Sequence, residues 1–104
     1  MLISTTENIP GRTIRRFFGV VSGSTVQSKR FGRNILSGIR NLFGGELTGY
    51  TELLQESRED ALARMVEEAE SLGANAVVNV RFSTSSIAQG AAEMFAYGTA
   101  VQVD

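Results

Sequence analysis

A change of hydrophobic period at Gly73 is the sequence feature that most constrains the fold. Before this glycine, apolar residues from about residue 50 to residue 72 recur at the spacing of one helical face. The predicted stripe comprises Leu54, Ala61, Leu62, Met65, Ala69 and Leu72. A glycine directly after the last periodic residue is typical of a left-handed helix cap. The pattern therefore predicts a helix that ends sharply at Gly73.

The segment after Gly73, "ANAVVNVRFSTSS", alternates between apolar and polar residues, as a half-buried strand does. Strict alternation predicts one apolar face made of Ala76, Val78, Val80 and Phe82. In the last predicted strand, "AEMFAYGTAVQV", one face consists of Met94 and three small residues, Ala96, Gly98 and Ala100. Small residues along one face indicate that another element packs closely against it.

Two more strands are predicted near the N-terminus. "MLIST" is typical of a short strand and is followed by a turn at "ENIPG". Residues 13–28 are rich in β-branched and aromatic side chains, which predicts one long strand or two strands joined at a bend. Within it, Gly19 and Gly23 mark bulges or close backbone approaches.

A further helix is predicted over about residues 31–43, where apolar residues again share one helical face. They are Ile35, Leu36, Ile39, Leu42 and Phe43, and Gly44 and Gly45 end the helix. The predicted order is β-β-α-α-β-β in a single domain over residues 1–104. This is an α+β fold, with a small, mainly antiparallel sheet and two helices on one side of it.

The glycine pair raises the alternative of an anion site. Phosphate loops follow a strand and direct backbone amides from a helix N-terminus towards the anion. Gly44 and Gly45 instead follow a predicted helix, and Glu46 would repel an anion. We therefore interpret the pair as a joint between two helices. The alternative is an anion site built from Gly45, Thr48 and Gly49.

The chain contains no histidine and no cysteine. This excludes catalytic triads that use histidine, and it excludes imidazole or thiolate ligands to a metal. Serine and threonine near Lys29 fit a strand end better than a nucleophile with a lysine partner, so we do not expect an enzyme. The chain also lacks an N-terminal signal pattern and any run of 18 apolar residues, which predicts a cytoplasmic protein without a membrane partner.

Charge is distributed unevenly along the chain. Residues 1–45 carry seven arginine or lysine residues and one acid, whereas residues 46–104 carry three arginines and ten acids. The basic residues are Arg12, Arg15, Arg16, Lys29, Arg30, Arg33 and Arg40. If the basic part of one copy docks on the acidic part of the next, the contact is head-to-tail and can close into a ring. The alternative is that the charges only solvate separate faces of a monomer.

Four segments, "GVVSG", "GIRNLFGG", "SLGANAVVNVRF" and "AYGTAV", occur in the order and at the spacing of the YbjQ-like family of small bacterial and archaeal proteins. The chain resembles this family almost from end to end. The resemblance implies an α+β subunit of a cyclic pentamer, sometimes a stacked decamer, with undefined biochemical activity. The family is often described as putative heavy-metal-binding, but it supplies no ligand set that can be placed on this chain residue by residue.

Any metal site in this chain must use oxygen ligands, so the cofactor would be a divalent ion such as magnesium, calcium or manganese. The candidate ligands are Glu46, Glu52, Glu56, Glu59 and Asp60. The last four are spaced along one side of the helix that ends at Gly73. The alternative, which we favour, is a solvated helix face or a contact between subunits, because nothing in the sequence fixes a converging ligand geometry.

We therefore expect a non-enzymatic oligomeric domain whose partner is itself, and which binds a metal ion or small ligand or serves as an assembly scaffold. The residues predicted to shape the subunit and its assembly are Gly44, Gly45, Gly73, Arg15, Arg16, Arg40 and Gly98. The alternative is nucleic-acid binding through the basic N-terminal half, where Phe17, Phe18 and Phe31 lie among the arginines. A pI of about 5.4 disfavours this alternative.

Overall fold

A mixed sheet of four strands and one long helix make up the part of the chain that the computed structural model describes, which is residues 1–25, 47–88 and 91–104. The elements in chain order are β1 (Leu2–Ile3), β2 (Ile14–Ser24), α1 (Leu47–Ser71), β3 (Ala76–Ala88) and β4 (Ala91–Val103). The strand order in the sheet is β1-β3-β4-β2. β1 pairs with β3 in parallel, whereas β3 with β4 and β2 with β4 are antiparallel.

The predicted order β-β-α-α-β-β with two helices is wrong, although the α+β class is right. Over the described residues the order is β-β-α-β-β, and the parallel β1–β3 pair makes the sheet mixed. Strand direction here depends on a pairing between distant segments, which local periodicity does not specify. The segment 31–43, Gly44 and Gly45 lie outside the described residues. The alternative of an anion site required Thr48 and Gly49 to precede the helix. Both residues instead lie in the first turn of α1.

The helix packs on one face of the sheet through a stripe of small residues and one methionine. Ala61, Met65 and Ala69 are completely buried, as the period predicted. Their partners on the sheet and after the helix are Val21, Ala74, Val77, Val80, Met94, Ala96 and Ala100. Leu72 is 45% exposed, so its predicted place in the stripe is wrong. It follows Ser71, the last helical residue, where the chain has already turned away from the buried face.

Gly23 allows the helix to approach β2 more closely than any side chain would permit. A Cβ atom at this position would lie 2.3 Å from the carbonyl oxygen of Ala61 and 2.5 Å from the amide nitrogen of Met65. Both atoms belong to the backbone and cannot move aside without moving the helix. Of the two alternatives for the glycines of this strand, Gly23 is a close approach, and Gly19 lies at a register shift with a φ of 103°.

The helix ends at Gly73 in the Schellman arrangement, which confirms the predicted cap. Gly73 has a φ of 90°, its amide donates to the carbonyl of Glu70, and the amide of Ala74 donates to the carbonyl of Ala69. Ala74 and Ala69 are both buried in the cluster under the helix. The cap therefore directs the chain straight from the helix into β3.

A bulge at Asn79 changes the face of β3 on which the apolar residues lie. Asn79 has a φ of 55°, and the pairing with β4 shifts register between Val78 and Arg81. The prediction that Val78 and Val80 share a face is wrong, because the extra residue places Val78 on one face and Val80 on the other. The amide of Asn79 donates to the carbonyl of Thr6, so the N-terminal segment holds the bulge in place.

Part of the sheet face opposite the helix is covered by the same N-terminal segment. Ile9 packs there against a small cluster of Ala76, Val78, Val101 and Val103. The sheet therefore has apolar residues on both faces, although the helix covers only one. This arrangement leaves the remainder of the second face without a covering element among the described residues.

Hydrogen bonds of Asp104 connect the end of β4 to the start of β2. Its carboxylate accepts hydrogen bonds from the amide of Thr13 at 2.9 Å and from the Nε and Nη2 atoms of Arg15 at 2.9 and 2.7 Å. Arg12 donates to the main-chain oxygen of Asp104. The hydrogen bonds to the carboxylate lower the pKa of Asp104 below its ordinary value. The amide of Thr13 has the larger effect and the guanidinium of Arg15 the next largest.

Gly23→Ala should destabilise the fold by about 1–3 kcal/mol, because the added methyl group meets helix backbone rather than a movable side chain. Denaturant unfolding monitored by circular dichroism measures this difference. Thr84→Ala, at an exposed position of β3, is the control and should change stability by no more than about 0.5 kcal/mol. A Gly23→Ala protein as stable as the control would show that the helix can move away from β2 at no cost.

Asp104→Asn should lower the melting temperature near neutral pH but not in strong acid. Because the pKa of Asp104 is lower in the folded state, its charged form stabilises the fold above the unfolded pKa, which is near 3.8. This contribution is lost as the pH falls through the folded pKa. Melting curves from about pH 7 to about pH 2 should therefore converge for the wild type and the variant. Asp60→Asn, on the exposed face of α1, is the control, and parallel curves for Asp104→Asn would contradict the assignment.

Candidate functional site

The uncovered part of the sheet face opposite α1 is the most prominent surface of the described chain. We call it the open face and define it as Phe17, Val20, Phe95, Tyr97 and Thr99. Phe17 pairs with Val101 of the cluster opposite the helix, and Val20 pairs with Thr99 two residues earlier on β4. Phe17 is 75% exposed and Val20 74% exposed. Two large apolar side chains are thus presented to solvent side by side.

Aromatic rings extend the open face along β4. The ring centroids of Phe95 and Tyr97 lie 5.5 Å apart, with the rings tilted by 32°. This distance is within the range of favourable aromatic pairs, so the two rings form a continuous apolar surface. Tyr97 is 36% exposed, which leaves part of its ring available for contact.

A polar group closes the open face at the hairpin end. Glu93 accepts a hydrogen bond from the hydroxyl of Ser24 at 2.8 Å, and its other oxygen lies 3.4 Å from the hydroxyl of Ser85. The carboxylate therefore bridges β2 and β3 across β4. This gives the apolar open face a polar boundary at the hairpin end, and polar residues are typical of the edge of a protein interface.

Side chains of α1 occupy hydrogen-bonding positions at the outer edge of β2. Glu68 accepts a hydrogen bond from the amide of Ser22 at 2.9 Å, and Arg64 donates to the carbonyl of Ser24 at 2.7 Å. An edge strand with unpaired amides and carbonyls can pair with another chain, and charged side chains that satisfy these groups prevent it. Contacts with a partner are thereby directed to side chains of the open face rather than to the backbone of this edge.

A shallow cleft lies on the helix side of the sheet. It encloses about 280 Å³ and is lined by Gln55, Arg58, Glu59, Leu62 and Phe82. Phe82 is 45% exposed, so the floor of the cleft includes apolar surface that the helix does not cover. The cleft is smaller than the roughly 300–1,000 Å³ of typical small-molecule sites.

The predicted basic surface is only partly present in the described chain. Arg12 and Arg15 bind Asp104, and the guanidinium of Arg16 lies 5.1 Å from the centre of the Phe18 ring. The remaining basic residues of the first half, Lys29, Arg30, Arg33 and Arg40, lie outside the described residues. The three described arginines therefore already have partners within the chain.

The predicted metal candidates do not converge where the structure describes them. Glu56, Glu59 and Asp60 are exposed along α1, and Glu59 accepts a hydrogen bond from Gln55 at 3.3 Å. Glu52 lies within α1, and Glu46 lies outside the described residues. Over the described part of the chain, no group of three or more acids is arranged to hold a metal ion. Within one subunit, the described acids therefore do not form a site that fits a metal ion.

Sequence reasoning missed both the open face and the cleft. Strict alternation placed Phe82 among buried residues of β3, but the bulge at Asn79 turned it towards the margin of the helix. Gly19 signalled a bulge in β2, but the sequence did not show that Phe17 and Val20 would lie uncovered beside it. Gly98 was correctly assigned to a face with close packing, because a Cβ there would lie 2.7 Å from a methyl group of Val77.

No helix in the described segments is both long enough and apolar enough to cross a membrane.

The fold is similar to that of a crystal structure from Pediococcus pentosaceus, a protein of unknown function in the DUF74 family. The TM-score is 0.56 at 15% identity, and the alignment covers 100% of this chain and 98% of the other.

Relatives of known sequence match the chain over nearly its whole length. A UPF0145 protein of Hahella chejuensis is 60% identical over 104 residues, covering 100% of both chains. A UPF0145 protein of Methanosarcina acetivorans is 54% identical over 103 residues, covering 99% of this chain and 97% of the relative. A family model described as "Putative heavy-metal-binding" matches residues 1–104. The predicted resemblance is thereby confirmed, and the chain belongs to the YbjQ-like family of UPF0145 proteins.

Proposed function

We propose that this protein is a non-enzymatic subunit of a homo-oligomeric ring, in which the open face of one copy docks on the acidic helix of the next. The observation that carries this proposal is the exposure of Phe17 and Val20 beside the aromatic rings of β4. A contiguous exposed apolar surface on a small domain marks an interaction site. The ring we propose is the cyclic pentamer, or stacked decamer, that the family resemblance implies.

The shape of the subunit supports assembly. Its radius of gyration is 16.1 Å, whereas a compact chain of this length has about 13 Å. Its dimensions are 51 × 24 × 17 Å. A small elongated subunit buries less of its own surface than a compact one, so docking between copies supplies burial that the single chain lacks.

Charge supports contact between unlike surfaces. Residues 1–25, which contain β2, carry three arginines and one acid, whereas α1 carries seven acids and two arginines. Placing two helices face to face would oppose like charges, whereas placing β2 of one copy near α1 of the next brings opposite charges together. A contact between different surfaces is heterologous, and repeated heterologous contacts close into a ring when the rotation allows.

Metal or small-ligand binding is proposed for the assembled ring and not for one chain. The described acids of α1 do not converge within the subunit. Divalent ions such as calcium need about six to eight oxygen ligands, which exposed single carboxylates cannot supply. Copies of one carboxylate arranged about a ring axis would bring such oxygens together.

Nucleic-acid binding has less support. Nucleic-acid phosphates are bound by strongly basic surfaces, whereas the chain as a whole is acidic, with a pI of about 5.4. Catalysis has less support as well, because the sequence contains neither histidine nor cysteine to act as a base or nucleophile.

Native mass spectrometry of the purified protein should show a discrete multiple of the 11.2 kDa subunit at low ionic strength. Raising the salt concentration should shift the population towards smaller species, because salt screens the attraction between basic and acidic surfaces. The same samples analysed by light scattering provide the solution control. A single chain at micromolar concentration under both conditions would contradict the proposed assembly.

Metal should stabilise the protein only while the ring is intact. A rise in melting temperature on adding Mn²⁺ should be seen at low salt and should disappear at salt concentrations that dissociate the ring. Glu59→Gln and Asp60→Asn test two of the exposed acids individually. A rise that persists in the dissociated subunit and is abolished by either substitution would instead place a metal site within one chain.

A further inference from the structure

Starting from the proposed ring, on which this inference rests, we infer that Phe17 of one copy inserts into the cleft between α1 and β3 of the next copy. The partner surface is thus a second copy of this chain, and the site is complete only when that copy supplies the phenyl ring. Two described features carry the inference: a protruding aromatic side chain on β2, and an open cleft whose floor contains an exposed aromatic ring.

Phe17 has the properties of an anchor residue. It is the most exposed of the large apolar side chains in the described chain, at 75%. It lies on β2 directly before the register shift at Gly19, where the strand bulges and its twist increases. Aromatic residues that fill a pocket on a partner contribute a large share of the binding free energy of many interfaces.

The cleft has the size and lining to receive one side chain. Its volume of about 280 Å³ is small for a cofactor. Leu62 and Phe82 supply apolar surface, while Gln55, Arg58 and Glu59 supply polar groups. An inserted phenyl ring could pack against Phe82, and the guanidinium of Arg58 could stack on its face.

The two features lie on opposite faces of the sheet, and therefore a chain cannot place its own Phe17 in its own cleft. Phe17 pairs with Val101 on the face away from α1, whereas Leu62 packs against the cluster beneath α1. Insertion must occur between copies, and it joins two different surfaces. Each copy then presents an unused Phe17 at one end and an unused cleft at the other, which is the geometry that propagates into a ring.

The strand that carries Phe17 and the helix that lines the cleft have complementary charges. Arg15 and Arg16 precede Phe17 on β2 and are exposed, with Arg16 on the strand face opposite Phe17. Glu59 lines the cleft, with Glu56 and Asp60 exposed on the same helix. Arg58 also lines the cleft, and its positive charge partly offsets these acids. The acids outnumber it, so the basic strand of an approaching copy meets a net negative surface.

The test uses one variant for each surface. Phe17→Asp removes the inserted ring and leaves the cleft, whereas Gln55→Trp fills the cleft from its own helix and leaves Phe17. Each variant should associate about thirtyfold more weakly or worse, and should have the mass of a single chain in native spectra. Thr84→Asp and Ala63→Trp are matched controls at exposed positions that do not line the cleft, and they should assemble as the wild type does.

Mixing the two variants gives the decisive result. Gln55→Trp can still donate Phe17, and Phe17→Asp can still accept it, so an equimolar mixture should form a heterodimer and no larger ring. Two monomeric variants that fail to dimerise on mixing would overturn the insertion. If the wild type forms a ring and both variants do so too, the insertion is wrong but the assembly stands. A monomeric wild type would overturn both.

A second measurement does not depend on disrupting the interface. The chain has no cysteine, so Val20→Cys on the open face and Glu59→Cys at the cleft introduce unique thiols on the two surfaces. A mixture of these proteins should form a mixed disulfide on mild oxidation, provided that the two Cα atoms approach within about 7 Å. A bifunctional thiol reagent extends this reach. Cross-linking of each protein to itself, without the mixed product, would contradict insertion between unlike surfaces.

Discussion

The close approach of α1 to β2 at Gly23 is the contact on which the rest of the subunit depends. With hydrogen in place of a side chain, the backbone of the helix at Ala61 and Met65 lies against the strand. The facing residues of β4 are correspondingly small, with Ala96 and Ala100 completely buried. Close packing of this kind brings many atoms into contact without bulky side chains. It also leaves the larger apolar residues of the sheet for other positions.

Bulges then determine where those larger residues lie. In an ideal strand, alternate residues share a face, but one extra residue exchanges the faces of everything beyond it. At Asn79 this exchange moves Val80 beneath the helix and leaves Phe82 at the margin of the cleft. Near Gly19, a second irregularity leaves Phe17 and Val20 on the open face. The two surfaces that we assign to assembly therefore arise from local departures from regular pairing.

Local sequence patterns were sufficient for the elements whose structure depends on nearby residues. The helix stripe at Ala61, Met65 and Ala69 and the cap at Gly73 follow from helical period and glycine conformation. Local patterns were insufficient where the structure depends on distant residues. The parallel pairing of β1 with β3, the bulge held by Thr6, and the exposure of Phe17 each result from contacts between remote segments. The residues next to Phe17 in the sequence do not indicate whether another part of the structure covers its side chain.

The side chains of Arg64 and Glu68 also link the motion of the helix to that of the strand edge. They lie one helical turn apart and hold the carbonyl of Ser24 and the amide of Ser22. A rigid displacement of the helix along its axis would therefore break both hydrogen bonds together. Opening of this region is consequently a cooperative step, in which the strand edge becomes available for pairing when the helix leaves it. While the helix is packed against β2, its side chains therefore protect this strand edge from pairing with another chain and from edge-to-edge aggregation.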